Sequence, residues 1–599
     1  MRKKHYCANS ECSGIARVAS NGAIRAIILQ LQKRGAIMSK ETKFLSIAIG
    51  LLQGKLKEDG KEDAVASRMD ADRLLSFTKY ALENYKLKGN KRVNEVDYPG
   101  TNDRNRFHNN GIVDKNGALG SIYIETKCHG QGTPAQVKLF KLLPGETPET
   151  FNRVNGKITM IRDITGFDGC LSRKLPVGRY VVEISKGSEY EIITDSLEVT
   201  ENKYEKRQYE LNHFIDLSDD GWIAGDLHHH CIYSSPVFGG DDDVVESPKE
   251  VANSMMAMGL RYGALSDHHN VLNHDYWRAC KRDDFTPIVS KEISTSNGHV
   301  MQMGVEKDVI YKIPDDEHRT DEYLRAEFVR ITDEIKANGG LPQINHPRDL
   351  QRSISWNPNF EDMLDIFETM EIWNGSAPMM MGSTDYAAYE LWLKCLRKGL
   401  FLPATTGSDT HNIAADDYHV LYDNILDTYD LIKENKSELE EKYPEEAHVF
   451  ELICESLLPI LEKWAETCLT SGGVRTYIHA GEDREQKNLL QTLKSGHSFL
   501  TNGPILIPTV NGKLPGEKLC GEKELHIDLK LLSNRELTKL EVHSENGLLQ
   551  EIELDAKKEN GFYDYSRKIE QTIKEDRFVY FIAKSDCTNL AISNPVICG

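Results

Sequence analysis

The stretch that decides the fold is WIAGDLHHH at residues 222–230, a short apolar segment that ends in ligand-type side chains. Its first four residues have the character of a buried strand, and the histidines follow directly at the carboxyl end of that strand. In an extended segment, residues i and i+2 point the same way, so His228 and His230 can contact one metal ion. The motif therefore predicts a strand with metal ligands at its end.

The same arrangement recurs from residue 218 to about residue 411. Apolar strand candidates alternate with helical segments, and most of the strands are followed by His, Asp or Glu. The predicted strands are Trp222–Gly225, Tyr262–Leu265, Pro287–Ser290, Val300–Gly304, Gly340–Ile344, Met370–Trp373 and Leu400–Thr405. Strands that alternate with helices over this length predict a mainly parallel, barrel-like α/β domain.

The carboxyl ends of the strands of a parallel barrel converge on one face. That face would collect eight imidazoles and carboxylates: His228, His230, His268, Glu292, His299, His346, Asp409 and His411. Eight ligands are more than one tetrahedral zinc ion requires, and they suit two or three divalent ions with a bridging carboxylate. A single His-x-His pair is weak evidence for a metal site, and Asp409 alone could be a helix N-cap. Five strand ends that all carry ligand-type residues are hard to explain without a metal site.

The ordered set of motifs resembles the polymerase and histidinol phosphatase (PHP) superfamily of metallohydrolases. The set comprises Asp-Leu-His-x-His at 226–230, Ser-Asp-His at 266–268, Glu292, Gly-His at 298–299, Asn-His-Pro at 345–347 and Gly-Ser-Asp-x-His at 407–411. Two later stretches, Arg-Thr-Tyr-Ile at 475–478 and Ser-Gly-His-Ser-Phe-Leu-Thr-Asn-Gly-Pro at 495–504, are similar to the CehA/McbA branch, which is named for carbaryl-type hydrolases. The resemblance covers about residues 175–515 and is specific for fold and metal site, but not for substrate.

The resemblance implies a distorted seven-stranded barrel that holds two or three divalent ions. Zn, Mn and Fe all suit a mixture of imidazole and carboxylate ligands. The first ion would be held by His228, His230, Glu292 and Asp409. The second ion would be held by Glu292, His299 and His346, so that Glu292 bridges the two ions. His268 and His411 would hold a third ion.

One position departs from the pattern of the superfamily and bears on the third ion. Many members carry an Asp five residues after the second His of the first motif, where this chain has Ser235. The acidic run at 241–243 lies in the same loop, and we expect Asp242 to take the missing role. The alternative is a solvated acidic loop.

Two ions of this kind lower the pKa of a shared water and stabilise the oxyanion that develops during hydrolysis. The sequence contains neither a Gly-x-Ser-x-Gly elbow nor a Walker-type loop, which disfavours serine-hydrolase and P-loop chemistry. Asp267 is a candidate base or leaving-group acid, and holding a ligand imidazole in place is its alternative role. Arg348 is a candidate clamp for an anionic substrate, with a surface salt bridge as the alternative.

The sequence therefore predicts a metal-dependent hydrolase of a small-molecule substrate, with phosphoester cleavage preferred and ester, amide or carbamate cleavage as the alternative. Arg348 directed at the ions would favour phosphate, whereas a pocket lined by Trp356 or Trp373 would favour an acyl or aryl ester. A non-catalytic, metal-stabilised binding protein is the second alternative, and it requires ions without an open coordination position.

The barrel domain is predicted to span residues 217–504, and four further segments flank it. Residues 1–37 are predicted to be a poorly structured tail, 38–98 a helical segment, 99–216 a β-sandwich and 505–599 a second β-sandwich. Residues 425–470 are rich in Glu and Leu and are predicted to form a helical insertion that acts as a lid or a partner surface.

Composition limits the remaining functions. The 599 residues carry 73 Lys and Arg against 93 Asp and Glu, a formal charge of -20, which argues against binding to nucleic acid or anionic membranes. No apolar run approaches the ~18 residues that span a bilayer. The 12 scattered cysteines favour reduced thiols and a cytoplasmic setting. The oligomeric state stays open.

Overall fold

The computed structural model describes residues 40–61, 65–84, 118–142, 145–151, 159–240, 242, 244–313, 319–375, 377–413, 429, 432–468 and 470–598. The predicted tail at 1–37 lies outside these residues. The helices of the described part are α1 (Lys40–Glu58), α2 (Ala71–Asn84), α3 (Pro248–Ala257), α4 (His274–Arg278), α5 (Asp321–Ala337), α6 (Thr384–Arg397), α7 (Lys436–Lys442), α8 (Pro444–Ser456), α9 (Leu458–Cys468) and α10 (Gln486–Ser495).

Two four-stranded sheets make up the described part of the region between residues 118 and 210. Their strands are β1 (Leu119–Cys128), β2 (Gln131–Gly132), β3 (Gln136–Lys141), β4 (Thr159–Ile164), β5 (Cys170–Pro176), β6 (Gly178–Ser185), β7 (Ile193–Val199) and β8 (Tyr204–Glu210). One sheet has the order β2-β1-β5, with β8 parallel to β1, and the other has the order β4-β3-β6-β7. Side chains of both sheets share one apolar core, which includes Ile122 and Ile124 of β1 and Val137 and Leu139 of β3.

The α/β region follows as one long sheet. Its strands are β9 (Trp222–Asp226), β10 (Tyr262–Leu265), β11 (Thr286–Ile293), β12 (His299–Met303), β13 (Leu341–Asn345), β14 (Thr369–Asn374), β15 (Ala404–Gly407), β16 (Arg475–His479) and β17 (Ser498–Thr501). The seven strands predicted before residue 411 therefore all correspond to observed strands. Their helices begin as the sequence indicates: Ser247 forms a capping box with Glu250 at the start of α3, and Thr320 caps α5.

Most ladders between the seven predicted strands are parallel, but one strand runs in the opposite direction to its neighbours, which the sequence did not predict. The β9–β10, β10–β11, β13–β14 and β14–β15 ladders are parallel, but β12 pairs antiparallel with both of its neighbours. The cause is the short connection of residues 294–298, which turns the chain directly from β11 into β12 without a crossover helix.

No ladder joins β15 to β9 in the described residues, so the sheet is not a closed barrel in the sense of continuous strand pairing. The two strands nevertheless meet just beyond their carboxyl ends. An isolated bridge pairs His229 with Thr410, and the Asp409 amide donates to the His228 carbonyl over 2.8 Å. The contact brings the end of the last strand against the end of the first.

The long sheet continues into the C-terminal region, because β17 pairs with β26 (Asn589–Ser593). The strands of that region are β18 (Ile505–Val510), β19 (Glu524–Ser533), β20 (Lys539–Ser544), β21 (Gly547–Glu553), β22 (Lys558–Glu559), β23 (Phe562–Asp564), β24 (Arg567–Thr572), β25 (Phe578–Asp586), β26 (Asn589–Ser593) and β27 (Val596–Ile597). A second sheet is formed by β18, β19, β22, β23 and β24. It shares one apolar core with the long sheet, including β20 and β25. The ladder between β17 and β26 therefore crosses the predicted boundary at residue 505.

The N-terminal helices and the helical insertion form one bundle, although about 350 residues separate them in the chain. Helices α1 and α2 share an apolar core with α7, α8 and α9. In that core, Phe77 of α2 lies edge-on to Phe450 of α8 with ring centroids 6.0 Å apart, and Arg73 pairs with Glu446 over 2.6 Å. The insertion thus packs against the N-terminal helices; its role as a lid stays a prediction.

The bundle docks on the α/β region through close backbone contacts. A Cβ atom on Gly54 of α1 would lie 1.9 Å from the carbonyl oxygen of Met381, so only glycine allows helix α1 to approach the loop that precedes α6. Within the described ranges, no helix has the length and apolar character of a transmembrane segment.

Candidate metal centre

The structure brings the sequence-predicted ligands together at the ends of the strands of the α/β region. His228 and His230 follow β9, His268 follows β10, Glu292 lies in β11, and His299 opens β12. His346 follows β13, and Asp409 and His411 follow β15. With Asp242, these side chains other than His299 fall into three overlapping groups that could each hold a metal ion.

The first inner group consists of His228, His230 and Asp409. A ring nitrogen of His228 lies 3.2 Å from the Asp409 carboxylate, and one of His230 lies 3.1 Å from the same oxygen. The Nε2 atoms of the two histidines are themselves only 3.1 Å apart. Both imidazoles are fully buried, as expected for the inward-facing i and i+2 positions of an extended segment.

The second inner group consists of His228, Glu292 and His346. Glu292 is 1% exposed and lies 3.3 Å from His228 and 3.1 Å from His346. His299 approaches the same carboxylate to 3.1 Å. The Glu292 carboxylate therefore lies between the two inner groups, as a bridging ligand must.

The outer group consists of His230, Asp242, His268 and His411. One oxygen of Asp242 lies 2.8 Å from His268 and 2.9 Å from His411. His230 belongs both to this group and to the first inner group, and its ring stacks on that of His411 with centroids 4.2 Å apart. Asp242 therefore lies beside His268 and His411, and its role as a ligand stays a prediction; His230 joins this group as a neighbour that the resemblance did not assign to the third ion.

The electrostatics of the cluster call for cations. Burial lowers the pKa of His230 to about 3, so this imidazole is neutral and able to act as a ligand. Burial also opposes charge on His228, but Asp409, Glu292 and Glu371 together raise its pKa well above the ordinary value. The histidines around Glu292 hold its pKa well below the usual range against the effect of burial. The carboxylates of Glu292, Glu371 and Asp409 surround the imidazole of His228. Divalent ions would offset this concentrated negative charge.

The donor set fits such ions on two further observations. The Nδ1 atom of His346 is buried without a hydrogen-bond partner, which is costly for an imidazole unless a ligand or ion satisfies it. His346 and Asp409 also have left-handed backbone conformations, with φ of 25° and 52°. Non-glycine residues adopt this region only where the surrounding structure enforces it, and such positions concentrate at functional sites.

Glu371 is a residue of the site that the sequence analysis missed. It lies in β14, is fully buried, and its carboxylate approaches the His228 Nδ1 atom to 3.1 Å and accepts the backbone N–H of His346 over 2.8 Å. It thereby holds one ligand of each inner group in place. The available signal was a Glu inside the apolar strand Thr369–Asn374, because a buried carboxylate requires partners.

The structure leaves Asp267 and Arg348 without the catalytic contacts that were considered for them. Asp267 is fully buried and accepts hydrogen bonds from Cys231, Ser234 and Asn273, and Ser234 in turn contacts His230 over 2.9 Å. This environment favours the positioning role over that of a base. Arg348 pairs with Glu361, which also binds Lys394, and its role as a clamp for substrate stays a prediction.

The two tryptophans that would have indicated an aryl or acyl pocket do not line one. Trp356 and Trp373 are both fully buried in the apolar core around α5 and α6. Among the described side chains, neither proposed discriminator between phosphate and acyl substrates therefore faces the metal centre.

No protein-family model matches the chain, and no curated protein matches it. Similar solved structures include a two-domain protein from Bacteroides vulgatus that contains a predicted PHP-like metal-dependent phosphoesterase, with 13% identity and a TM-score of 0.32 over 63% of this chain and 95% of that one. A candidate metal-dependent phosphoesterase from Bifidobacterium adolescentis has 14% identity and a TM-score of 0.24 over 33% of this chain and 93% of that one. An amidohydrolase from Chromobacterium violaceum has 19% identity and a TM-score of 0.22 over 31% and 87%. TM-scores this low do not support a functional assignment, so the function proposed below is based on the residues of the site.

Proposed function

We propose that the protein is a metal-dependent hydrolase that uses two or three divalent ions to activate water, with a small-molecule phosphoester as the substrate. The observation that carries this proposal is the set of three overlapping ligand groups that share His228 and His230 around the buried carboxylate of Glu292. The proposal includes a PHP-type barrel of seven strands with flanking β-sandwiches, and a relationship to the CehA/McbA branch. Its basis is the order of the motifs along the chain.

The proposed roles follow from the contacts. When bound, the ions would lower the pKa of a water molecule and offset the negative charge that develops on the reacting group. Glu292 would bridge the inner ions, Glu371 would orient the imidazole of His228, and Ser234 would fix that of His230. The buried Asp267 anchors Ser234 and holds the loop after β9 in place.

The exposure of the outer group supports an enzyme rather than a sealed structural site. The side chains of Asp242 and His411 are 25% and 36% exposed and that of the inner ligand Asp409 is 25% exposed, whereas those of His228 and His230 are fully buried. A substrate can therefore reach the cluster from the side of Asp409 and the outer group, which leaves a side open for coordination. The non-catalytic alternative requires complete enclosure.

The preference for phosphoesters rests on the resemblance to the superfamily, because no Lys or Arg among the described residues pairs with the candidate metal ligands. Ester, amide and carbamate hydrolysis therefore stays the alternative, to be separated by experiment. The test begins with metal analysis of the purified protein. It continues with a screen of phosphomonoesters, phosphodiesters and aryl esters in the presence of Zn, Mn or Fe.

Chelation is expected to abolish turnover, and Glu292→Gln is expected to reduce kcat/KM by more than ~10²-fold, since it removes a ligand rather than an orienting residue. Glu368→Gln is a matched control, because Glu368 pairs with Lys494 on the surface. Turnover that survives chelation, or a fully active Glu292→Gln variant, would contradict the proposal.

A further inference from the structure

A polar cavity opens at the junction of the N-terminal sheets, the α/β region and the C-terminal region. It encloses about 60 Å³ beneath an open mouth, and its walls include Gln136 and Lys138 of β3, Arg475 of β16, Thr470 and Arg535. None of the metal ligands lines it. The cavity is thus separate from the metal centre.

Gln136 is the first sign that the cavity takes a ligand. The side chain is 2% exposed, and neither its amide oxygen nor its amide nitrogen has a hydrogen-bond partner. A buried amide without partners is unfavourable and rare in native proteins, and here it borders open space rather than packed atoms. A polar ligand in the cavity would satisfy it.

The charge of the walls defines the class of that ligand. Lys138, Arg475 and Arg535 line the cavity, and no Asp or Glu is among the described residues of its walls. Glu183 lies 3.4 Å from Lys138 and offsets its charge, and the guanidinium groups of Arg475 and Arg535 add positive charge to the walls. Arginine forks match the oxygens of phosphate and carboxylate groups.

The position of Arg475 is itself fixed by the fold. Its guanidinium donates to the carbonyl of Met258 over 2.8 Å, and a Cβ on Gly187 would lie 2.6 Å from the same nitrogen. Gly187 has a φ of 81°, which other residues rarely adopt. A glycine at this position therefore leaves room for the guanidinium beside the cavity wall.

Two stretches that the metal centre does not use converge here. Arg475 belongs to the stretch 475–478, and Asn502 and Gly503 belong to the stretch 495–504; all three line the cavity. Thr470, another wall residue, precedes Ser471, whose hydroxyl lies 2.8 Å from His229 between the two ligand histidines. The cavity thus adjoins a segment that contacts the metal-binding loop from behind.

We propose that this cavity is a binding site for a small oxyanion, either a free phosphate or the phosphate group of an organic molecule, distinct from the substrate of the metal centre. The Gln136 Nε2–H donates to an oxygen of the anion, its Oε1 accepts from the P–OH group of the monoprotonated form, and Arg475 and Arg535 supply the positive charge.

The test measures thermal unfolding midpoints while inorganic phosphate replaces chloride at constant ionic strength. The midpoint of the wild-type protein is expected to rise by about 2 °C or more, both with bound metal and with chelator present. Methylphosphonate serves as a second arm, because it presents the same group on a carbon atom and has no ester to hydrolyse. A rise with phosphate alone identifies a free anion, and a rise with both identifies room for an organic phosphate.

The variants are Gln136→Leu and Arg535→Ala, with Lys557→Ala as the control for loss of one exposed positive charge. Gln136→Leu removes an unpartnered amide, so without phosphate it is expected to unfold no earlier than the wild type, yet to lose the phosphate response. Arg535→Ala is expected to lose it as well, and Lys557→Ala to retain it. No response in the wild type, a response that disappears with chelator, or an unchanged response in both cavity variants would overturn the proposal.

Discussion

The inner and outer parts of the candidate metal centre are built differently. The inner ligands His228, Glu292 and His346 come from strand ends and are almost completely buried, whereas the side chain of the inner ligand Asp409 is 25% exposed. The outer group depends on Asp242, which comes from a loop and whose side chain is 25% exposed. Ligands on strand ends are positioned by the sheet, whereas a loop ligand is positioned only by its local contacts.

The local packing reinforces this contrast. A Cβ on Gly407, at the end of β15, would lie 2.2 Å from both Glu371 Oε1 and His228 Cβ, so β15, β14 and the segment after β9 meet there with no spare volume. In the outer loop, the Asp242 amide donates to the Ser234 carbonyl over 3.1 Å. If the cluster holds ions as proposed, we expect the inner groups to bind them in a preformed site and the occupancy of the outer group to vary.

After Glu292→Gln, the substitution expected to change the inner groups most is Glu371→Gln. The amide cannot provide the charge that orients His228, so we expect metal affinity at the inner groups to fall by ~10- to 100-fold. Titration of the metal-free protein with Zn or Mn would measure this loss. The Glu368→Gln variant is again the matched control, and equal affinities of the two variants would contradict a positioning role for Glu371.

Asp242→Asn separates the outer group from the inner ones. The substitution removes the carboxylate that lies between His268 and His411, so we expect the metal content to fall by about one ion while inner affinity stays within about twofold. Elemental analysis at saturating metal tests this. Asp275→Asn, at a position whose side chain is 87% exposed on α4, controls for the change of charge. Loss of all ions from Asp242→Asn would show that the groups are not independent.

The smallest effect is expected from Ser234→Ala. The Ser234 hydroxyl contacts Nδ1 of His230, and His230 belongs to both the inner and the outer parts. Its loss should weaken both parts alike, by about tenfold or less. Measured affinities for successive ions would show this, with Ser235→Ala as the neighbouring control. A loss confined to one part would mean that His230 serves only that part.

The helices and strands of the α/β region could be predicted because each carries local signals. The capping box at Ser247 and the cap at Thr320 mark helix starts, and the apolar runs that end in His or Asp mark strands. The reversed direction of β12 could not be predicted, because an apolar run reads the same in a parallel and in an antiparallel ladder. Glu371 was missed for a similar reason, since only its neighbours across the sheet reveal its role.

The sequence by itself determined which side chains can bind metal and that they follow strands, because ligand type and hydrophobic periodicity are local properties. Only the tertiary structure decided that His230 lies between the inner and outer groups, that Glu371 holds His228, and that α1 and α2 pack with α7–α9. These contacts join segments that are far apart in the chain. They are selected by packing and burial over the whole fold, which no short stretch of sequence encodes.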